Sequence, residues 1–408
     1  MSDNILWDLP ALRATVTPDC EILHDPQDPR FHERLRRWTG IDRRTPHCYY
    51  PPPSSIPFVT TCGGHSAWST IGVEGIIIGL STKTATLVGG VLSKQVGMRL
   101  AKAGLFTALG NGNMVGAIPY FLGGGVSITS SITGFGSDQI VSARLITAKD
   151  GEKLIEFFGL VTELTIRAHP LSLLRRQKGL IWIGAFIFPL ERATEVAPVM
   201  KRLMADAQYE VAGLMMISTP PPTRTPYLVI AARYTGAEEP QVPFKALYDL
   251  HPMVVTGGDV PIQNTSDARE VLCAKGDFKQ FGVVGLHEFN ADGLVRTIDT
   301  WKQMVHDCPD AIKTGFNFQW DSRPVKTPEV ESAMSLHDIR YWQNNLIWHT
   351  EVRNSGKVGA YNNECISIMR GVDQSHFRPY RGQVRLEKLR RLKIEWDAQG
   401  AFTRQMLD

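Results

Sequence analysis

The sequence predicts an α+β protein in which a mixed N-terminal unit precedes a larger unit built on an antiparallel sheet. The chain has 408 residues, which is too long for one compact core. Residues 56–167 mix short strands and a helix with glycine-rich turns. Residues 171–355 contain more strands than helices, and their strands are joined by short turns. This pattern is typical of an antiparallel sheet covered by helices.

The elements of the first unit follow from periodicity and from glycine positions. The runs "IPFVTT", "TATLVGG" and "GLVTELTIRAHP" predict strands, and "SKQVGMRLAKAG" predicts a helix that ends at a glycine. Near the N-terminus, the basic run "RFHERLRRWTGIDRR" predicts a solvated amphipathic helix.

The sequence of the second unit predicts a series of strands. Strands are predicted for "GLIWIGAFIFPL", "EVAGLMMIS", "PYLVIAARY", "GDFKQFGVVGLHEF" and "AIKTGFNFQWDSR", and a helix for "ERATEVAPVMKRLMADA". The tail "RLEKLRRLKIEWDAQGAF" predicts an amphipathic helix that ends at a glycine. Its apolar side chains need an apolar surface; they are Leu386, Leu389, Leu392 and Ile394.

Composition excludes several classes of protein. A hydrophobic content of 43% and a charged content of 21% indicate a folded chain, and a net charge of +3 gives no reason to expect nucleic acid or an anionic membrane as a partner. The start of the chain has no apolar signal-peptide core, and no run approaches the roughly 18 apolar residues of a membrane span, so we expect a cytoplasmic protein. The six cysteines form no CxxC pair, which argues against a zinc site or a disulfide framework, and we expect no metal.

Two glycine-rich turns, "CGGHS" and "LGGGVS", suit the binding of an anion. Backbone N–H groups can converge on an anion where no Cβ blocks its approach, and two such turns fit a diphosphate better than a single phosphate. Ordinary hairpin turns are the alternative. The named phosphate motifs do not fit, because "GNGNMVG" has Val115 in place of the third glycine of GxGxxG, and "GIIIGLSTKT" has no Gly-Lys-Ser/Thr.

The order of several motifs resembles a known family of flavoproteins. These are "TCGGHSAWST", "GNMVGAIPYFLGGGVSITSSITGFGSDQIVSARLITAKDGE", "FGLVTELTIRAHPLS" and "YNNE" before the tail helix. They resemble FAD-linked oxidoreductases of the vanillyl-alcohol-oxidase superfamily, with a PCMH-type FAD-binding domain, and in particular the berberine-bridge-enzyme-like branch of fungal type. The resemblance covers nearly the whole chain. It implies that residues 1–170 and 356–408 form the two-part FAD-binding domain, and that residues 171–355 form the substrate domain.

The resemblance also implies the cofactor and its contacts. In the family, the histidine of Gly-Gly-His-Ser is bonded to the flavin, so the family pattern implies FAD with one covalent link, through His65. A second link, through a cysteine, is not expected because Gly112 holds the matching position. The other FAD contacts that we expect on this basis are Cys62, Gly63, Gly64, Ser66, Gly116, Gly123, Gly124, Asp138, Ile140, Gly159, Val161, Tyr361 and Asn363.

The implied function is that of an FAD-dependent oxidase or dehydrogenase of secondary metabolism. A small organic substrate passes a hydride to flavin N5, and molecular oxygen reoxidises the flavin. The catalytic base is not identifiable from sequence. His287, Glu288 and Gln319 lie on predicted substrate-domain strands, where a structural role is the alternative for each, and Gln319 cannot act as a base.

Three segments are shorter than in the family pattern. They follow "YYPPPSS", "GIIIGLS" and "ITAKDGE", and in the last of them Glu156 and Phe157 replace a Gly-Asn pair. A bulky residue and a negative charge at that place would weaken FAD binding. The alternative function is therefore a non-redox cyclase or lyase, or a flavin-free binding protein, on the same fold.

Overall fold

The computed structural model describes residues 22–40, 48–49, 58–61, 76–79, 87, 90–147, 159–176, 179–328, 334–370 and 383–396. Within these ranges the chain forms an N-terminal unit of small sheets and a C-terminal unit around one large sheet. No helix of the described ranges is long and apolar enough to span a membrane.

Short strands and helices make up the N-terminal unit. The strands are β1 (Cys48–Tyr49), β2 (Phe58–Thr61), β3 (Ile76–Gly79), β4 (Leu105–Phe106), β5 (Ile140–Thr147), β6 (Gly159–Ile166) and β7 (His169–Pro170). The helices are α1 (Pro29–Leu35), α2 (Ser93–Lys102), α3 (Ala117–Leu122) and α4 (Ser130–Thr133). Strand β3 pairs in parallel with β1 and β2, whereas β5–β6 and β4–β7 are antiparallel pairs.

The predicted elements of this unit are largely present. Helix α2 and strands β2, β6 and β7 match their sequence patterns, while most of "TATLVGG" lies outside the described residues. Helices α2 and α3 pack on the β5–β6 pair through Val96, Phe121 and Leu164, which are buried. Helix α1 is less solvated than expected, because Phe31 and Leu35 are buried.

The C-terminal unit contains a seven-stranded antiparallel sheet. Its strands are β8 (Leu180–Pro189), β9 (Val211–Ser218), β10 (Tyr227–Tyr234), β11 (Val254–Pro261), β12 (Phe278–Leu286), β13 (Gly315–Asp321) and β14 (Tyr341–His349), in the spatial order β11-β8-β10-β9-β13-β14-β12. The helices are α5 (Ala193–Ala205), α6 (Lys245–Tyr248), α7 (Ala291–Asp307), α8 (Ser355–Arg370) and α9 (Gln383–Trp396). The predicted antiparallel sheet covered by helices is confirmed.

Two strands of the sheet were not predicted, and each breaks the apolar pattern. Strand β11 is exposed at the edge of the sheet and contains Gly257 and Gly258. Strand β14 has Gln343 and Asn345 in its centre, and both are completely buried. The Gln343 amide donates to Asn345 Oδ1 at 3.1 Å, and the Asn345 amide donates to Asn362 Oδ1 at 2.9 Å, whereas Gln343 Oε1 has no hydrogen-bond partner among the described residues. Polar pairing of this kind is invisible to a hydrophobic-periodicity argument.

Helices cover one face of the sheet. Side chains alternate between the two faces of a strand, and one set, which includes Phe186, Met215 and Trp320, packs on α5, α7 and α8. Helix α8 contributes Val358 and Cys365 to this core. Residues 355–370 therefore pack on the sheet rather than on the N-terminal unit. Helix α9 has no buried residue, so the return of the tail to the N-terminal unit stays a prediction.

The other face of the sheet meets the N-terminal unit. Phe106 of β4 packs with Ile181 of β8, and Phe135 packs edge-on against Trp342 of β14 with the ring centroids 6.4 Å apart. We call this contact region, between residues 106–138 and the sheet, the junction. The two units of the fold pack against each other through these side chains.

Replacing Phe135 should reveal how much the junction contributes to stability. The ring is completely buried, so Phe135→Ala should lower the free energy of unfolding by about 3–5 kcal/mol. Chemical denaturation measures this loss. Phe281→Ala is the matched control, because Phe281 is 55% exposed and only stacks on Trp38, and it should lose less than half as much. Equal losses would contradict a packed junction.

Candidate functional site

The predicted flavin-linking histidine, His65, lies outside the described residues. So do its neighbours in the motif, Cys62, Gly63, Gly64 and Ser66. Strand β2 ends at Thr61, immediately before the motif. The role of this segment therefore remains a prediction.

The second glycine-rich turn follows α3 and needs its glycines. Gly124 and Gly125 have φ angles of 99° and 71°, in the left-handed region that favours glycine. The N–H of Gly136 donates to the Gly125 carbonyl at 2.7 Å, and the N–H of Ser137 donates to the Gly124 carbonyl at 2.9 Å. A Cβ on Gly125 would lie 2.8 Å from Gly136 Cα. The turn at Gly124 and Gly125 thus lies directly against Gly136 and Ser137.

The other predicted contacts on this side of the molecule have mainly backbone or apolar roles. Gly116 caps α3 and bridges to Leu92 just before α2. Ile140 begins β5, and Gly159 begins β6. Val161 is buried in the apolar core beneath α3. These residues shape the unit, and any contact that they make with a cofactor remains a prediction.

Asp138 is a buried carboxylate that ties the two units together. Its Oδ2 accepts the N–H of Phe135 at 2.8 Å and lies 2.8 Å from Nε2 of His337. His337 belongs to the segment before β14, so this contact crosses the junction. Both contacts of Oδ2, to Phe135 and to His337, are made with other residues of the protein. Asp138 therefore has a structural role in addition to any contact with a cofactor.

Tyr361 and Asn363 lie on α8, behind the sheet. The Tyr361 hydroxyl donates to Asp307 at the end of α7 at 2.7 Å, and Asn363 is exposed. Helix α8 packs on the face of the sheet opposite the junction. This packing does not support the expectation that the two residues close over the flavin.

Of the three polar residues on the predicted substrate-domain strands, the two that are titratable, His287 and Glu288, lie at the surface. Glu288 pairs with Lys201 at 2.6 Å, and its side chain is 75% exposed. His287 lies 3.7 Å from Asp338 and is also exposed. Both positions fit a structural or solvated role.

Gln319, by contrast, lies in the junction, next to two residues that sequence reasoning missed. Asn111 donates to Gln319 Oε1 at 3.4 Å, and Arg233 Nη2 donates to Asn111 Oδ1 at 2.6 Å. Arg233 lies in the otherwise mostly apolar run "PYLVIAARY". Because charged residues are rarely buried, an arginine in such a run is the sequence signal that could have identified Arg233 as a candidate functional residue. Asn111 directly precedes Gly112, so this polar group adjoins the glycine-rich segment.

Burial strongly perturbs two ionisable groups in the junction. It lowers the pKa of Arg233 well below the ordinary value, and the positive charge of Arg269 lowers it further. Burial also raises the pKa of Asp321 to about 6, although Ser131 and the N–H of Arg323 donate hydrogen bonds to its carboxylate. Groups with strongly perturbed pKa values that line a cleft occur at functional sites more often than elsewhere on a protein.

A cleft opens beside the glycine-rich segment. Ser93 and Lys94 of α2 border it, together with Gly110, Asn113 and Ser266. The hydroxyl of Ser93 is buried and has no hydrogen-bond partner among the described residues. The cleft therefore offers unused hydrogen-bonding capacity close to a glycine backbone.

Comparison with solved structures identifies the fold. A variant of Physcomitrella patens BBE-like 1 matches with a TM-score of 0.76 over 94% of this chain and 96% of that chain, at 14% identity. A glucooligosaccharide oxidase from Acremonium strictum, described with a 6-S-cysteinyl, 8α-N1-histidyl FAD, matches with a TM-score of 0.72 over 98% of both chains, at 13% identity. The chain has the fold of the berberine-bridge-enzyme-like proteins, as its motifs predicted.

No model of a known protein family matches the chain. Comparison with individual protein sequences nevertheless agrees with the structural comparison. The chain is 22% identical to the FAD-linked oxidoreductase hasG of Aspergillus fumigatus, over 91% of this chain and 94% of that protein. The resemblance that the motifs indicated is confirmed. The alignment extends over 455 positions, more than the 408 residues of this chain, so hasG has segments that this chain lacks.

Gly125 should not tolerate a side chain. Gly125→Ala combines a left-handed φ with a backbone clash, and it should lower the free energy of unfolding by about 3 kcal/mol. Gly104→Ala is the control: its φ of 73° is similar, but no atom lies within 4 Å of the added Cβ. The free energy of unfolding of the Gly104→Ala variant should fall by about 1 kcal/mol. Urea denaturation of both proteins measures the difference, and equal losses would show that the contact with Gly136 is unimportant.

Asp321 should make stability depend on pH. Its folded pKa of about 6 lies above the ordinary value of 3.8, so the neutral carboxyl adds stability that is complete below about pH 4 and is lost as the pH rises through 6. Asp321→Asn is neutral throughout. As the pH rises from 4 to 7, the free energy of unfolding of the variant should therefore increase by up to about 3 kcal/mol relative to that of the unchanged protein. Urea denaturation at several pH values measures this gain, and a pH-independent difference would contradict it.

Proposed function

We propose that this protein is an FAD-linked oxidoreductase that oxidises a small organic molecule. The observation that carries the proposal is the agreement along nearly the whole chain between the berberine-bridge-enzyme-like fold and the similarity to hasG, an FAD-linked oxidoreductase. A role in secondary metabolism belongs to the proposal, since the resemblance is to the fungal type of this branch.

The residues of the cleft suit FAD. The glycine backbone at Gly110 and Gly112, the unpartnered hydroxyl of Ser93 and the ammonium group of Lys94 are the kinds of group that hold a diphosphate and its hydroxyls. Lys94 also forms an ion pair with Asp267 at 2.5 Å, which fixes its side chain at the edge of the cleft. Bound FAD would supply the acceptor for a hydride from the substrate, and molecular oxygen would reoxidise it.

His65 is the residue that we propose as the covalent attachment. A neutral imidazole is a nucleophile near pH 7, and it follows a glycine pair that leaves the backbone accessible. The Acremonium strictum oxidase has both a cysteinyl and a histidyl link. Here, Gly112 occupies the position that the resemblance matches to the cysteine, so we propose a single link.

The junction is the part of the protein that we propose to hold the substrate. Its sheet face carries Arg233 and Gln319, and Asn111 connects them to the glycine-rich segment. Apolar side chains, among them Phe135 and Trp342, line the same region. Such a combination of apolar walls with a few fixed polar groups is what orients a small molecule.

The alternative is a flavin-free or non-redox protein on the same fold. The segments of hasG that this chain lacks favour it if they include the three shortened segments that the family pattern implies for the FAD-binding unit, because their loss would weaken FAD binding. Colour separates the two functions: an FAD-linked protein is yellow as purified and is stabilised by FAD, whereas a flavin-free one is colourless and is not.

His65→Ala tests the attachment. In the unchanged protein, acid precipitation should leave flavin fluorescence in the pellet, because a covalent bond survives denaturation. His65→Ala should release all flavin into the supernatant. His287→Ala is the matched control, since it removes an exposed histidine from the C-terminal unit, and it should retain the flavin in the pellet. Retention by His65→Ala would show that another residue forms the link.

A further inference from the structure

Two arginines near the junction have no acidic partner. Arg233 is only 3% exposed, its Nη2 donates to the neutral amide of Asn111, and its Nε has no acceptor. Nη1 of Arg269 is also buried without an acceptor. Within the described part of the chain, neither guanidinium forms an ion pair with a carboxylate.

Other arginines of the same unit are neutralised. Arg176 is mostly buried and pairs with Asp259 at 2.5 Å, and Arg323 pairs with Glu210 at 2.7 Å. An unpaired buried charge is strongly unfavourable, and a fold ordinarily avoids it or compensates it. The positive potential that Arg233 and Arg269 create together is therefore suited to a negative charge supplied by a ligand.

The surroundings of Arg233 define the shape of that ligand. The side chain borders two cavities between the sheet and residues 126–132. Ile128 borders both cavities, Trp342 lines one of them, and Ser130 and Gln319 add polar groups to that same cavity. A guanidinium presents a planar fork of N–H donors that matches a carboxylate. Each cavity has room for only about one water-sized group, so it fits the carboxylate end of a ligand and not its hydrocarbon body.

We propose that Arg233, in the positive potential shared with Arg269, binds a carboxylate of the substrate, so that the molecule oxidised is an organic acid. This inference rests on the proposed oxidoreductase function and narrows its substrate class. Asp321 borders the same cavities, but its carboxylate accepts the N–H of Arg323 at 3.0 Å and forms no ion pair with Arg233. It therefore does not take the place of the ligand's carboxylate.

Carboxylate binding can be measured directly on the purified full-length protein. Benzoate and propionate serve as probes, and benzamide and propionamide serve as their uncharged counterparts. Both acids should raise the thermal midpoint, whereas the amides should have no effect. Arg233→Met should weaken acid binding at least tenfold without lowering the midpoint of the free protein, because it removes an uncompensated charge. Arg176→Met removes an arginine that already has an acidic partner, and it should bind the acids as the unchanged protein does.

A second variant keeps the test decisive if Arg233→Met does not fold. Arg233→Lys retains the charge but loses the planar fork, so it should bind the acids with intermediate affinity. The proposal is overturned if acids and amides bind equally, or if the Arg233 variants bind the acids unchanged. It is also overturned if they lose flavin colour while acid binding persists, since Arg233 would then act on the cofactor. Failure of the oxidoreductase function itself would appear separately, as colourless unchanged protein.

Discussion

The close backbone contact between Gly125 and Gly136 fixes the glycine-rich turn of the N-terminal unit at the place where the two units meet. Their hydrogen bond of 2.7 Å is accessible only because neither residue has a side chain. The contact holds the turn that presents Phe135 to Trp342 and Asp138 to His337. Both of these contacts join the glycine-rich segment to residues of the C-terminal unit.

The charges of the junction divide into two kinds. Asp138 is buried with His337 beside it, and the pair holds the units in register across the contact. Arg233 is buried just as deeply, but its contact is to a neutral amide. A buried charge that has a partner can be accounted for by its role in the structure, whereas a buried charge without one raises the free energy of the ligand-free protein. This contrast is the reason that we propose a binding role for Arg233 rather than for Asp138.

The two faces of the sheet have different tasks. The helix-covered face is a continuous apolar core, and the buried amide of Asn345 within it donates to Asn362 at 2.9 Å. The junction face combines apolar rings with polar groups that have unused hydrogen-bonding capacity. Helix α8 belongs to the first face, so Tyr361 contributes to the core packing and not to the junction. The ligand site that we propose therefore lies on the face of the sheet opposite the helices.

The sequence by itself determined the α+β class, most strands of the large sheet and the resemblance to FAD-linked oxidoreductases. These depend on local properties: apolar alternation in "GLIWIGAFIFPL", helical spacing after Ser93, and the order of the glycine motifs. It also identified Gly124 as a turn residue. Only the tertiary structure brought Asn111, Arg233 and Gln319 together, because they come from three distant parts of the chain. It alone showed that Gln343 and Asn345 are buried, because the amide contacts that accompany their burial, between the two residues and from Asn345 to Asn362 of α8, form only in the folded chain.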